Sequence, residues 1–157
     1  MAIPSFQGSL EAADLRIGIV VSRFNSFITE ELASGALRVL AERGCPEKNI
    51  LLVKVPGAWE LPVAAKFLAS TCDAIIAIGA VIRGDTPHFE YVAGGAADGL
   101  NRVSLDTGVP IAFGVLTTDD MQQAMDRAGG KSGNKGAEAA EVAIELANLV
   151  RQLKAGR

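Results

Sequence analysis

The stretch Ala74-Ile75-Ile76-Ala77-Ile78-Gly79-Ala80-Val81-Ile82-Arg83-Gly84-Asp85-Thr86-Pro87-His88-Phe89 decides the fold. Its first nine residues are Ala, Ile, Val and Gly without a polar interruption, the pattern of a parallel strand buried on both faces. Gly84 then supplies a flexible turn, Thr86 is placed to cap a helix, and Pro87 fits that helix's first turn. The amide groups at such a helix start favour an anion, most often phosphate. His88, the only histidine of the chain, lies within one helical turn of that cradle. Taken singly, each feature has a plain reading: a lone histidine is more often a surface or core residue, and Gly-x-Thr-Pro is a common β-to-α turn. Taken jointly, at the carboxyl end of a central strand where open α/β sheets bind ligands, they point to a small-molecule site.

Outward from this unit, strand and helix alternate. Residues 15–21 read as a first buried strand ending at Ser22-Arg23-Phe24-Asn25, followed by a helix to about Arg43. Leu32, Leu37 and Leu40 with Ala33 and Ala36 form its apolar side, Glu31, Arg38 and Glu42 its wet side, and Gly44 stops it. Residues 50–55 form a second strand ended by Pro56-Gly57, and a short helix over 61–69 leads to the strand at Ala74. The helix after Pro87 runs to about Thr107, and 109–116 is the next strand. Thr117-Thr118-Asp119 starts a short helix, with Asp119 and Gln122 at capping-box spacing, which ends near Gly129-Gly130. The final helix, 135–153, carries two apolar stripes: Ala140, Ala143, Ile144, Ala147 and Val150, and Val142, Leu146, Leu149 and Leu153. A helix covering one side of a sheet needs only one, so the second predicts either a subunit contact or a helix wedged deeply in its own core. Gly94, Gly95 and Gly99 each cost roughly 1 kcal/mol relative to alanine in a helix interior. Close approach of another backbone would compensate.

The chain is 157 residues long, 49% hydrophobic and 21% charged, which suits one ordered α/β domain with a mainly parallel sheet. A net charge of −3 gives no basic footprint for nucleic acid. No apolar run approaches the ~20 residues that span a bilayer, and residues 1–14 lack the pattern of a secretory signal. Cys45 and Cys72 form neither a CxxC nor a metal-like cluster with the histidine and read as reduced thiols, so the expected compartment is the cytoplasm. Seventeen glycines and a positive mean hydropathy hint at assembly.

Other chemistry-bearing positions fall where strands end and loops begin. Phe24-Asn25 follows the first strand, and a phenylalanine there can stack on a planar ring. In Pro56-Gly57-Ala58-Trp59-Glu60-Leu61-Pro62, Glu60 can accept from hydroxyls or simply sit at a helix start. Phe113 lies in a strand, where core packing is the default. Arg127, followed by Lys131 and Lys135, is either a dipole partner at a helix end or a fork for phosphate. There is no GxGxxG, Walker loop, GxSxG or metal-ligand constellation. A phosphorylated substrate handled by a histidine, a carboxylate and an arginine, with no metal and no redox cofactor, suggests proton shuffling at a carbonyl.

Five segments then resemble one family: Arg23-Phe24-Asn25, PGAWELP over 56–62, GAVIRGDTPHFEYVA over 79–93, FGVLTTDD over 113–120 and RAGGKSGNKGAEAA over 127–140. In this order they are similar to the 6,7-dimethyl-8-ribityllumazine synthases, over essentially the whole chain after the first dozen residues. The resemblance implies a three-layer α/β/α fold with a flavodoxin-like sheet over 1–157, the extension 1–14 being ordered by subunit contacts. It implies condensation of 5-amino-6-(D-ribitylamino)uracil with 3,4-dihydroxy-2-butanone 4-phosphate, in riboflavin biosynthesis, without a cofactor. Phe24 would stack on the pyrimidine beside Asn25, and Ala58, Trp59 and Glu60 would hold its ribityl side. Ala80, Val81 and Ile82 would contact the ring, and Phe113 would close its other face with Lys135 nearby. Asp85 and Thr86 would bind phosphate with Arg127, Asp85 through its backbone, and His88 would relay protons. The implied partners are small-molecule substrates, further copies of the chain in a pentamer or a sixty-subunit shell of pentamers, and riboflavin synthase, with no nucleic acid and no membrane. The alternative is a flavin- or lumazine-binding or shell-forming protein without turnover.

Overall fold

The computed structural model describes residues 2–156; Met1 and Arg157, the two ends of the expected 1–157 domain, lie outside the described residues. In chain order the elements are β1 Ile17–Ser22, α1 Ser26–Glu42, β2 Ile50–Val55, α2 Leu61–Leu68, β3 Ala74–Ile82, α3 His88–Thr107, β4 Ile111–Thr118, α4 Met121–Arg127, β5 Ala128–Gly130, β6 Gly133–Asn134 and α5 Lys135–Ala155. The first four strands make one parallel sheet in the order β2-β1-β3-β4, and β5 and β6 pair as a small antiparallel ribbon. This is the α/β/α, flavodoxin-like architecture. Its chain leaves β1 for β2 on one side and crosses to β3 on the other, so the crevice outside the carboxyl ends opens at β1/β3.

Alternation along β3 shows why its sequence carries no polar residue. Ala74, Ile76, Ile78 and Ala80 pack with α1 and α5, whereas Ile75, Ala77 and Val81 pack with α2 and α3. Both faces are covered, so both must be apolar. The outer strands differ: β2 leaves Leu51 50% and Leu52 47% exposed, and β4 leaves Phe113 40% exposed.

The layer of α1 and α5 is locked by the Gly133-Asn134-Lys135-Gly136 segment. Asn134 caps α5 by accepting from the Ala137 N–H (3.0 Å), and its Nδ2 donates to the Glu31 carbonyl of α1 (3.0 Å). Gly133 takes φ 86°, a left-handed turn suited to glycine. Gly136 lies so close to α1 that a Cβ would overlap the Leu32 carbonyl oxygen.

Four local expectations change. Leu37 is exposed, because the buried stripe of α1 runs through Ile28, Leu32, Ala36 and Leu40 and the next residue turns about 100° away. The last long strand occupies 111–118 rather than 109–116. The Val109 N–H still serves the α3 exit through Thr107 Oγ1 (3.2 Å), and Thr117 and Thr118 pair with Val81 and Ile82. The cap of α4 is accordingly Asp120, which accepts from the Gln123 N–H (2.8 Å), one residue later than Asp119. Two of the three α3 glycines admit side chains of the same chain rather than a second backbone: a Cβ on Gly95 would overlap the Trp59 ring, and one on Gly99 would lie 2.6 Å from Pro62 Cγ. Gly94 has open space around it.

The first stripe of α5 is buried through Ala140, Ala143, Ile144 and Ala147, but the second leaves Val142 49% and Leu153 52% exposed. Residues 7–11 lie along the same helix. Gln152 Nε2 donates to the Gln7 carbonyl (2.8 Å), and Asn148 Nδ2 donates to the carbonyls of Ser9 and Glu11 (2.9 Å each). Among the described residues, no helix is long and apolar enough to cross a membrane.

Candidate active site

A cleft of about 700 Å³ opens at the carboxyl ends of β1, β2 and β3. Each wall follows from how a strand ends. After β1 the chain stays paired with the β2 exit through Arg23 N–H to Val55 O (2.8 Å) and Phe24 N–H to Pro56 O (3.0 Å). It then reverses at Asn25, in the left-handed region at φ 61°, which asparagine tolerates better than most residues. That turn leaves the Phe24 ring exposed on the cleft wall. Asn25 does not line the cleft; its Nδ2 donates to the Ala80 carbonyl (2.9 Å) and ties the β1 exit to β3.

After β2, Ala58–Glu60 form a single helical turn leading into α2. Glu60 Oε1 accepts from the Gly57 N–H (2.8 Å), which fixes the carboxylate at the wall and leaves its second oxygen for a ligand. The Trp59 ring lies against α3 at Gly95, so Ala58, Trp59 and Glu60 line the cleft from a braced turn. Ala80, Val81 and Ile82 form the floor.

The far wall is the start of α3. The Pro87 carbonyl accepts from the Glu90 N–H (3.0 Å), which tightens the first turn. The cap position therefore falls on Pro87 rather than Thr86, and Thr86 Oγ1 still accepts a long bond from the His88 N–H (3.4 Å). Thr86 and His88 both line the cleft. Tyr91 and Val92 join them, residues not singled out from sequence, although the spacing 88, 91, 92, 95 is that of one helical face. Gly84 and Phe89 complete this wall. The result is an apolar and aromatic cleft with a few convergent polar groups, the usual make-up of a small-molecule site.

Arg83 points elsewhere. Its Nη1 donates to Glu90 Oε1 (2.6 Å), its Nε donates to Asp119 Oδ1 (3.1 Å), and its guanidinium lies 4.3 Å from the Phe89 ring centroid. The hydrogen bond from Arg83 holds the Glu90 carboxyl below the usual glutamate range, and the bonds to Glu90 and Asp119 raise the guanidinium. Glu90's share of the interaction is therefore complete at neutral pH and is lost as pH falls below the ordinary glutamate range.

The remaining sequence candidates are not in this cleft. Asp85 is exposed in the loop beside it. Phe113 lies on the β4 edge. Arg127 ends α4, with Nη1 donating to the Gln123 carbonyl (3.0 Å), and Lys135 opens α5. One chain thus gathers Phe24, Glu60, Thr86 and His88 and leaves Phe113, Arg127 and Lys135 outside.

The sequence model of the family described as 6,7-dimethyl-8-ribityllumazine synthase matches residues 14–151, a span that includes every residue of both groups. The chain belongs to this family.

Proposed function

We propose that the cleft is one half of an active site completed by a neighbouring copy of the chain. The reaction is the family's. 5-Amino-6-(D-ribitylamino)uracil condenses with 3,4-dihydroxy-2-butanone 4-phosphate to give 6,7-dimethyl-8-ribityllumazine, one phosphate and two waters, a transferase step of riboflavin biosynthesis. Two ring carbon–nitrogen bonds form, each displacing a carbonyl oxygen as water, and the C–O bond to phosphate breaks. The chemistry therefore needs a ring platform, an anion cradle and a proton carrier, and no redox partner.

In this reading Phe24 stacks on the pyrimidine and Asn25 keeps the β3 floor in place. Ala58, Trp59 and Glu60 hold the ribityl side, and Ala80, Val81 and Ile82 meet the ring. Thr86 and the backbone at Asp85 receive the phosphate at the start of a 20-residue helix, where the amide dipoles favour an anion. His88 moves protons during imine formation and phosphate loss. Phe113, Arg127 and Lys135 come from the neighbour: Phe113 covers the other ring face and Arg127 forks the phosphate. One observation carries the proposal: the first group shares a cleft, whereas the second lies outside it on the same chain.

Exposed apolar side chains support assembly, among them Phe67 at 77%, Leu105 at 75% and the second stripe of α5. We place the chain in a pentamer, with the sixty-subunit shell favoured over a lone pentamer because the connection from Gly129 to Gly136 is a short ribbon that adds no bulk between the last two helices. Contacts between subunits then complete the ordering of the extension over 2–14. Riboflavin synthase, which consumes the product, is the proposed protein partner. The proposed compartment is the cytoplasm, in keeping with two free, buried cysteines whose thiols burial pushes up.

The test is turnover by the purified protein with both substrates, following the fluorescent lumazine and released phosphate, with light scattering on the same sample. Equimolar product and phosphate from a pentamer or larger assembly are expected. A stable monomer, or flavin binding without turnover, contradicts the reading.

A further inference from the structure

We propose that Arg83 is a positioning residue for phosphate recognition, its side chain acting as a staple across the loop 84–87. The inference rests on the reading of that loop and the α3 start as the phosphate cradle. The loop has little to hold it by packing. Asp85, Thr86 and Pro87 are exposed, and a Cβ on Gly84 would meet nothing within 4 Å. Its conformation therefore depends on how its two ends are fixed relative to each other.

Arg83 fixes both ends. On the β3 side its backbone N–H donates to the Thr118 carbonyl (2.8 Å). On the α3 side its Nη1 reaches over the loop to Glu90, and its guanidinium lies by the ring of Phe89, a residue of the cleft wall. The third point is Asp119, which is itself braced: its N–H donates to Gln123 Oε1 (2.8 Å), and the neighbouring Thr118 Oγ1 donates to the Asp120 carbonyl (2.9 Å). A planar fork that engages two carboxylates while its carbon lies over the Phe89 ring suits arginine, and a lysine ammonium reproduces only part of it. Arg83 does not itself line the cleft, and its guanidinium is engaged by two carboxylates. Its effect on substrate is therefore indirect.

An exposed ion pair of this kind contributes little to global stability, so its purpose is better sought in the loop's geometry, where small misplacements are costly to binding and rate. The test compares wild type with Arg83→Gln, Arg83→Lys, Glu90→Gln and Asp119→Asn in the assembled enzyme. In Arg83→Gln the KM for the phosphorylated ketone is expected to rise roughly 5–20-fold, the KM for the aminopyrimidine staying within about twofold. Glu90→Gln and Asp119→Asn shift it in the same direction by less, and Arg83→Lys restores part of the loss, with Tm and oligomer size unchanged. Hydrogen exchange of the amides of residues 84–86 and 88–90, read without substrate, speeds up in the Arg83→Gln, Glu90→Gln and Asp119→Asn proteins. Unchanged exchange overturns the staple. So does a lowered KM in Glu90→Gln or Asp119→Asn, which would mean that the freed guanidinium binds phosphate directly, or a parallel rise of both KM values with a falling Tm. Faster exchange in a protein whose wild type makes no lumazine would sink the functional reading and leave the staple standing.

Discussion

Replacing His88 with alanine is expected to slow condensation by roughly 10–10³-fold and to leave the assembly intact. The side chain is exposed on the cleft wall and belongs to neither hydrophobic core, so its removal opens no cavity in the fold. General acid–base groups contribute about 10²–10⁴-fold, but an amine and a ketone held in contact react partly without help, which lowers the expected loss. The range corresponds to about 1.4–4 kcal/mol of barrier. The measurement is the rate of lumazine fluorescence at saturating concentrations of both substrates, with light scattering on the variant. A wild-type rate removes His88 from the mechanism, and a dissociated variant assigns it to the interface.

Gly136→Ala is expected to destabilise the protein by about 3 kcal/mol, at the upper end of what overpacking costs. The new methyl would overlap the Leu32 carbonyl oxygen and lie 2.9 Å from the Leu32 Cα, and backbone inside a helix cannot swing aside as a side chain tip does. Relief requires α5 to move off α1. That movement also strains the Asn134 bond to the Glu31 carbonyl and shifts Lys135, the residue between them in sequence. For a chain of this size the cost amounts to a fall in Tm of about 6–12 °C, compared at equal protomer concentration. Gly94→Ala is the control: open space surrounds that position, so the gain in helix propensity should leave Tm equal or higher. A Gly136→Ala protein as stable as wild type would show that the two helices are not pressed together as described.

Local chemistry was legible and long-range partnership was not. The strand at 74–82 and the helix from about 88 to 107 could be read from the sequence, because an unbroken apolar run and a Gly-x-Thr-Pro turn are written in adjacent residues. The cap of α4 lies one residue beyond the sequence expectation because Asp119 and Asp120 are both able to cap, and only the length of β4, set by pairing with β3, decides between them. Gly95 and Gly99 advertised a close approach, yet what approaches is Trp59 and Pro62, some 35 residues earlier in the chain. Asn134 caps α5 locally, but its second bond reaches a residue more than 100 positions away, which no local reading shows. Of the site residues at the ends of β1, β2 and β3, Phe24, Ala58, Trp59, Glu60, Thr86 and His88 meet in one cleft above Ala80, Val81 and Ile82, whereas Asn25 and Asp85 do not line it. Tyr91 and Val92 share the helical face of His88 and carry no sequence motif of their own, so only the 3.6-residue period points to them.

The central claim, a site shared between neighbours, is tested most directly by mixing two defects. His88→Ala and Arg127→Ala chains are each expected to assemble into impaired oligomers, the second mainly through weaker binding of the phosphorylated ketone. In a ring of head-to-tail contacts built from equal amounts of both chains, about one interface in four pairs an intact His88 with an intact Arg127. Co-assembled oligomers, verified as mixed, should therefore exceed the mean activity of the two parents at limiting phosphorylated substrate. Activity equal to that mean would contradict a site divided between subunits.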